Sequence, residues 1–143
     1  MRVDDIGPVI ADQVRRWLQH TQVTVKPVID LAGTPPVDHY ETPPRLSEVI
    51  GLRRAADYFP YGSNLSRHQE NDHTIPYIAM NRGGPPGQTH PTKMGKLTKR
   101  HHRIKTHGGW RVEQVASGIW LYRSPHGYHF LVHQHGTTAL GRL

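Results

Sequence analysis

Apolar positions recur along this chain with two different periods, and the changes between them mark out its elements. Val9, Ile10, Val14, Trp17 and Leu18 fall on one face at helical spacing, with Asp12, Gln13, Arg15 and Arg16 opposite, so the pattern predicts a helix over 5–20. Asp5 is placed to cap it, and Pro8 sits near its first turn, where a missing N–H costs nothing. TQVTVKPVIDL (21–31) alternates apolar and polar residues as a half-buried strand does, and Pro27 confines that strand to an edge or ends it. GTPPVDHYETPP (33–44) is punctuated by prolines and reads as an extended loop. Leu46, Val49, Ile50 and Leu52 predict a second short helix after Pro44.

From Tyr58 to Thr92 the periodicity fades, apart from a short strand around Asn71–Ile75, and MNRGGPPGQTHPT (80–92) is a loop by composition. KMGKLTKRHHRIKTH (93–107) is the strongest helical stretch of the second half, ended by Gly108 and Gly109. Three strands follow, WRVEQV (110–115), IWLYR (119–123) and YHFLVH (128–133). They are joined by ASG and SPHG, which suit hairpin turns and predict an antiparallel meander. Trp110, Trp120 and Tyr122 alternate along these strands and read as core packing rather than as platforms for bases.

At 143 residues the chain can bury a real core, but a hydrophobic fraction of 35%, with fourteen glycines and twelve prolines, makes much of it loop. No run approaches the roughly eighteen apolar residues of a membrane span, and Arg2, Asp4 and Asp5 are unlike the start of a signal peptide. A soluble, cytoplasmic protein with no membrane partner is the expectation. The absence of cysteine excludes disulfides and thiolate metal sites, so a bound metal must use His, Asp, Glu or backbone oxygen. A net charge of +7, with twelve further histidines, favours a polyanionic partner, because Lys and Arg release the counterions of phosphates. Lys93, Lys96, Lys99, Arg100, Arg103 and Lys105 concentrate that charge in one segment.

The chemistry gathers in NDHTIPY (71–77), the Gly-Gly loop after it, and LTKRHHRIKTHGGW (97–110). Adjacent Asp and His on a strand project to opposite faces, so a carboxylate can hold a metal while the imidazole acts on a water beside it. A helix some thirty residues later brings another His to the same place. Phosphodiester hydrolysis needs these parts: a cation for the phosphate oxygens, and a base that is neutral near pH 7.

D-H-x-x-P from Asp72 to Pro76, the Gly-Gly loop and the H-H-R-x-K-T-H helix together resemble the HNH endonuclease motif, a strand–loop–strand–helix arrangement around one metal. More narrowly, the string from Pro27–Val28–Ile29–Asp30–Leu31 through DHTIPY, PPGQT, RHHRIKTHGGW and SPHG resembles the C-terminal nuclease part of a family of actinobacterial, mycobacterial repeat proteins. In that family a domain of unknown function precedes the HNH module. The similarity runs from about Val9 to Gly136.

The resemblance implies an α+β fold, with a ββα-metal motif flanked by an N-terminal helix–strand unit and a C-terminal antiparallel meander. The corresponding segments are 1–57, 58–109 and 110–143. It also implies a metal-dependent endonuclease that hydrolyses DNA. Asp72 and His102 are then the metal ligands and His73 the general base. His101, about 100° round the helix from His102, stands behind the ligands rather than on the metal. Arg103, Lys105 and His107 are expected to touch phosphates, Arg103 and His107 sharing one helix face. A carboxylate–imidazole–water site suits one divalent ion, Mg²⁺ or Mn²⁺, with Zn²⁺ or Ni²⁺ as softer alternatives.

Two departures from the motif stand out. Lys93 occupies the place of the motif's middle Asn, which holds the loop behind the base. Ser63, Gln69, Thr98 and His101 stand where related modules carry four zinc-binding cysteines, so no structural zinc is expected and packing by Tyr58, Phe59 and Tyr61 must replace it. Lys93 keeps open an alternative, a catalytically degenerate nucleic-acid-binding module in which that lysine is one more phosphate contact. A histidine-rich metal-binding protein, drawing on His90, His126, His129, His133 and His135, is a third reading, but it leaves the basic helix unexplained.

Overall fold

A computed structural model of the protein describes residues 2–3, 6–24, 33–66 and 68–142. Strands β1 (Arg2–Val3) and β2 (Gly7–Pro8) pair antiparallel, and the first helix, α1, spans only Ala11–Leu18. This corrects the expected start: Pro8 lies in a strand, not in a first helical turn, and Asp5 falls outside the described residues. Gly7 has φ +99°, a conformation that L side chains rarely adopt, so the backbone turns there before a helix can begin. Residues 21–24 are not a strand, and the rest of the strand expected over 21–31 lies outside the described residues.

Helix α2 (Pro44–Arg53) starts on a proline whose missing N–H would have had no helical partner. It buries Leu46, Val49 and Ile50, while Leu52 faces solvent.

Strands β3 (Glu70–His73) and β4 (Met94–Leu97) pair antiparallel, with Asp72 opposite Gly95 and His73 opposite Met94. Helix α3 (Lys99–His107) follows at once. The helix expected over 93–107 is therefore a strand followed by a helix. Pairing with β3 overrides the helical pattern as far as Leu97, and the Thr98 hydroxyl then caps α3 by accepting the His101 N–H at 3.3 Å. The helix ends at Gly108, as its sequence indicates, with the Gly108 N–H on Ile104 O.

Strands β5 (Arg111–Ala116), β6 (Ile119–Arg123), β7 (Tyr128–His133) and β8 (Gly136–Arg142) form a four-stranded antiparallel meander in chain order. Three of these match the expectation. The fourth, GTTALGR, has no apolar alternation to betray it and is held by pairing along β7.

Helices and antiparallel sheets make this an α+β fold. Tyr58, Phe59 and Leu97 pack with Trp120, Tyr122 and Val132 in one buried cluster, so segments 58–109 and 110–143 share a core. A smaller cluster of Leu46, Ile50 and Met94 seats α2 on β4. Among the described residues no helix is long and apolar enough to cross a membrane.

Candidate active site

Strand β3 and helix α3 interleave their side chains. Glu70 and Asp72, two residues apart, share one strand face, and His102 and Lys105, three apart, share one helix face. Asp72 is 4% exposed, and both of its oxygens are engaged. Oδ1 lies 3.0 Å from His102 Nε2, and Oδ2 accepts from Lys105 Nζ at 2.5 Å and from the Tyr58 hydroxyl. Lys105 also donates to His73 O at 2.7 Å, and His102 Nδ1 meets Glu70 Oε2 at 2.6 Å. Gly95 makes room for this. A Cβ there would stand 2.5 Å from Tyr58 Cδ1, so only a bare glycine lets the tyrosine ring lie across β4 and reach Asp72.

Burial by itself would raise the Asp72 carboxyl, yet His102, Lys105 and Tyr58 hold it below its usual range. Burial keeps the Tyr58 hydroxyl protonated and therefore a donor. Hydrogen bonding to Asp72 raises His102, with burial opposing it and Glu70 adding to it.

The Asp72 carboxylate and the His102 imidazole are donor types that a divalent ion accepts. Asp72 Oδ1 and His102 Nε2 lie 3.0 Å apart, and Glu70 sits behind the imidazole as a carboxylate commonly does behind a ligating His. Among the described residues no group of three or more His, Asp or Glu side chains is assembled for a metal.

On the other face of β3, His73 is held by parts the sequence reading passed over. Its Nε2 lies 2.8 Å from Thr89 Oγ1, and the Thr89 hydroxyl donates to His39 O at 2.5 Å. A hydroxyl has one proton, and that proton is on His39 O. Thr89 therefore accepts from His73 Nε2–H, and the neutral ring keeps its lone pair on Nδ1. Burial lowers the His73 pKa by more than neighbouring Asp72 raises it. Tyr40 stacks on the imidazole with centroids 5.5 Å apart, and Tyr77 lies at the same distance, tilted.

The 33–44 segment is thus more than a connecting loop. Val37 bridges Thr89 in both directions, and the Asp38 side chain accepts the Gly87 N–H while its carbonyl accepts the Tyr77 hydroxyl. Gln88 clamps Ile78 through both its amide oxygen and its amide nitrogen, over a glycine, Gly84, where a Cβ would stand 1.9 Å from Ile78 O. Lys93 ties the same loop: its ammonium donates to Gly87 O at 3.0 Å and its carbonyl accepts the Thr74 N–H.

The remaining candidates fall in three groups. Arg103 and His107 are exposed on α3, whereas Lys105 turns inward to Asp72. His101 Nδ1 meets Asp57 Oδ2 at 2.7 Å. Asp57, fully buried, also accepts the N–H groups of Phe59 and Thr98, each at 2.9 Å. A carboxylate thus gathers the segment around Phe59, Thr98 and His101. Gln69 adds a bond to Asn64 O, and Phe59 stacks on His101. Tyr58 and Phe59 are buried as that packing requires, but Tyr61 is 65% exposed and only edges against Phe130. Asp57, Thr89 and Glu70 are the residues that sequence reasoning missed, along with the bond from Tyr58 to Asp72. The Thr of GQT and the alternation of Glu70 with Asp72 were the available signals.

Uncharacterized protein Rv3776 of Mycobacterium tuberculosis is 31% identical over 105 residues, 73% of this chain and 18% of the relative. Uncharacterized proteins MT2160 and Rv2100 of the same species are each 28% identical over 128 residues, 89% of this chain and 21% of theirs. The chain therefore spans about a fifth of the length of the curated relatives it matches. No protein-family model matches it, and no solved structure does.

Proposed function

We propose that the protein is a metal-dependent endonuclease of the HNH type acting on DNA. The observation that carries this reading is the meeting of Asp72 Oδ1 with His102 Nε2 at 3.0 Å, across an antiparallel strand pair and the helix after it, with His73 next in the same strand. In this reading Asp72 and His102 hold one divalent ion, Mg²⁺ or Mn²⁺ by donor type, which supplies charge stabilisation for the phosphate oxygens. His73 Nδ1 takes a proton from the attacking water. That water's oxygen forms the new bond to phosphorus as the bond to the 3′-oxygen breaks. Thr89 holds His73 in the tautomer this needs, and Glu70 orients His102. Lys105 holds Asp72, and exposed Arg103 and His107 are left to meet flanking phosphates. Lys93, tied to Gly87 O, serves the loop behind the base as the motif's Asn would, which favours an enzyme over a degenerate binder.

The test is nicking of a supercoiled plasmid by the purified protein with a panel of divalent ions. His73→Ala and His102→Ala should each lower nicking by ~10² or more, the usual weight of a general base or of a metal ligand, while DNA affinity stays within a few fold. A protein that never nicks with any ion, but binds DNA with a steep salt dependence, would leave the binding-module reading in its place.

A further inference from the structure

The indole N–H of Trp120 donates to Thr74 Oγ1 at 3.0 Å, and its ring lines a cavity of about 480 Å³. The cavity forms where the end of α2 meets the β5–β6 turn and the β7–β8 turn. Two arginines reach it, Arg53 and Arg54, and no acidic residue lines it among the described residues.

Arg54 stands out. Its guanidinium lies 5.1 Å over the Trp120 ring, and its Nε is buried without a hydrogen-bond partner. Asp57 is the nearby carboxylate, but its oxygens are bonded to Phe59 N, Thr98 N and His101 Nδ1. A guanidinium stays charged at every ordinary pH, and with no acidic residue in the described lining an anion in the cavity would add to what the Trp120 ring and Asp57 supply. Arg53 bonds Ser117 Oγ at 3.3 Å on the same rim.

The two imidazoles opposite are also donors. His133 Nδ1 accepts the His135 N–H, and His135 Nε2 accepts from the Gln134 amide at 3.0 Å, so each neutral ring carries its N–H on the other nitrogen. Ile50, Pro91, Met94 and Ile119 add an apolar stretch, beside the polar side chains of Thr92, Ser117 and Gln134. Two guanidinium groups on one rim suit a phosphate group, and the apolar stretch suits a flat ring.

We infer that this cavity binds a nucleotide, with the phosphate on Arg53 and Arg54 and the base against the apolar stretch. The inference is independent of the nuclease reading, because none of these side chains bonds Asp72, His73 or His102.

The test uses the full chain with dAMP, deoxyadenosine and inorganic phosphate as separate probes, read by calorimetry and by the NMR signal of the Trp120 indole N–H. The expected result is saturable dAMP binding that moves the Trp120 signal and is at least ~10-fold tighter than either fragment. Arg54→Met should weaken dAMP by ~10-fold or more, Arg53→Gln should do the same, and His102→Ala should leave it unchanged. If Arg54→Met fails to fold, Arg53→Gln decides alone, since that side chain is exposed. The inference is overturned by absence of saturable dAMP binding or by affinity indifferent to the arginines. Phosphate binding as tight as dAMP overturns it too, as does loss of binding in His102→Ala.

Discussion

Replacing Asp57 by Ala removes a fully buried carboxylate that accepts three hydrogen bonds, from Phe59 N, Thr98 N and His101 Nδ1. A net bond to a charged group contributes about 1.5–3 kcal/mol, and a donor left buried without a partner costs about 1–3 kcal/mol. His101 is 26% exposed and can turn to water, so its share is the smallest of the three. The Phe59 N–H is the least able to escape, since its residue is 7% exposed. Together these set an expected loss of about 4 kcal/mol, or roughly 10 °C in melting temperature for a chain of this size. Asp57→Asn keeps Oδ1 for Phe59 N but loses the charge and the second acceptor, and should cost about half as much. Urea unfolding followed by tryptophan fluorescence measures both. A loss under about 1 kcal/mol for Asp57→Ala would refute the idea that this carboxylate organises the turn and the start of α3.

Gly95→Ala should push the Tyr58 ring off β4 and cost about 1–3 kcal/mol in the same unfolding assay, because the new Cβ would stand 2.5 Å from that ring; unchanged stability would mean that Tyr58 is not fixed there. Thr89→Val should lower nicking ~10-fold and Thr89→Ser should restore it, since serine keeps the hydroxyl that sets the His73 tautomer; equal rates in all three would remove that role. Lys93→Asn should keep nicking within a few fold of the parent. If the parent does not nick, the same variant should instead shallow the log–log salt slope of DNA binding by about one.

The elements best read from sequence are those whose burial alternates. β6 and β7 carry Trp120, Tyr122 and Val132 inward, and α2 buries Leu46, Val49 and Ile50 at helical spacing. The failures have physical causes. Residues 93–97 look helical because lysine and methionine are helix formers, yet strand pairing with Glu70–His73 outweighs a propensity of a few tenths of a kcal/mol per residue. β8 has two glycines and is largely exposed, so its pairing, and not its pattern, defines it. Around α1, five apolar residues at helical spacing give no information about where the backbone first turns, and Gly7 decides that.

The candidate site divides along the same line. Asp72, His73 and His102 stand out in the sequence because each belongs to a short motif on one element, and the structure brings Asp72 and His102 together. What holds them does not stand out, because it comes from chain positions far apart. Thr89 reaches His73 only because Val37 pairs with it, and the proton on its hydroxyl is assigned by a carbonyl fifty residues earlier in the chain, His39 O. Tyr58 reaches Asp72 only because the residue opposite Asp72 in the register is a glycine. Lys105 shows the consequence for function. As an isolated residue in a basic run it reads as a phosphate contact, but with β3 in place its ammonium bonds Asp72 Oδ2 and His73 O. Its positive charge then helps keep Asp72 ionised, so in the proposed nuclease removing it should act on the Asp72 carboxylate before it acts on DNA binding.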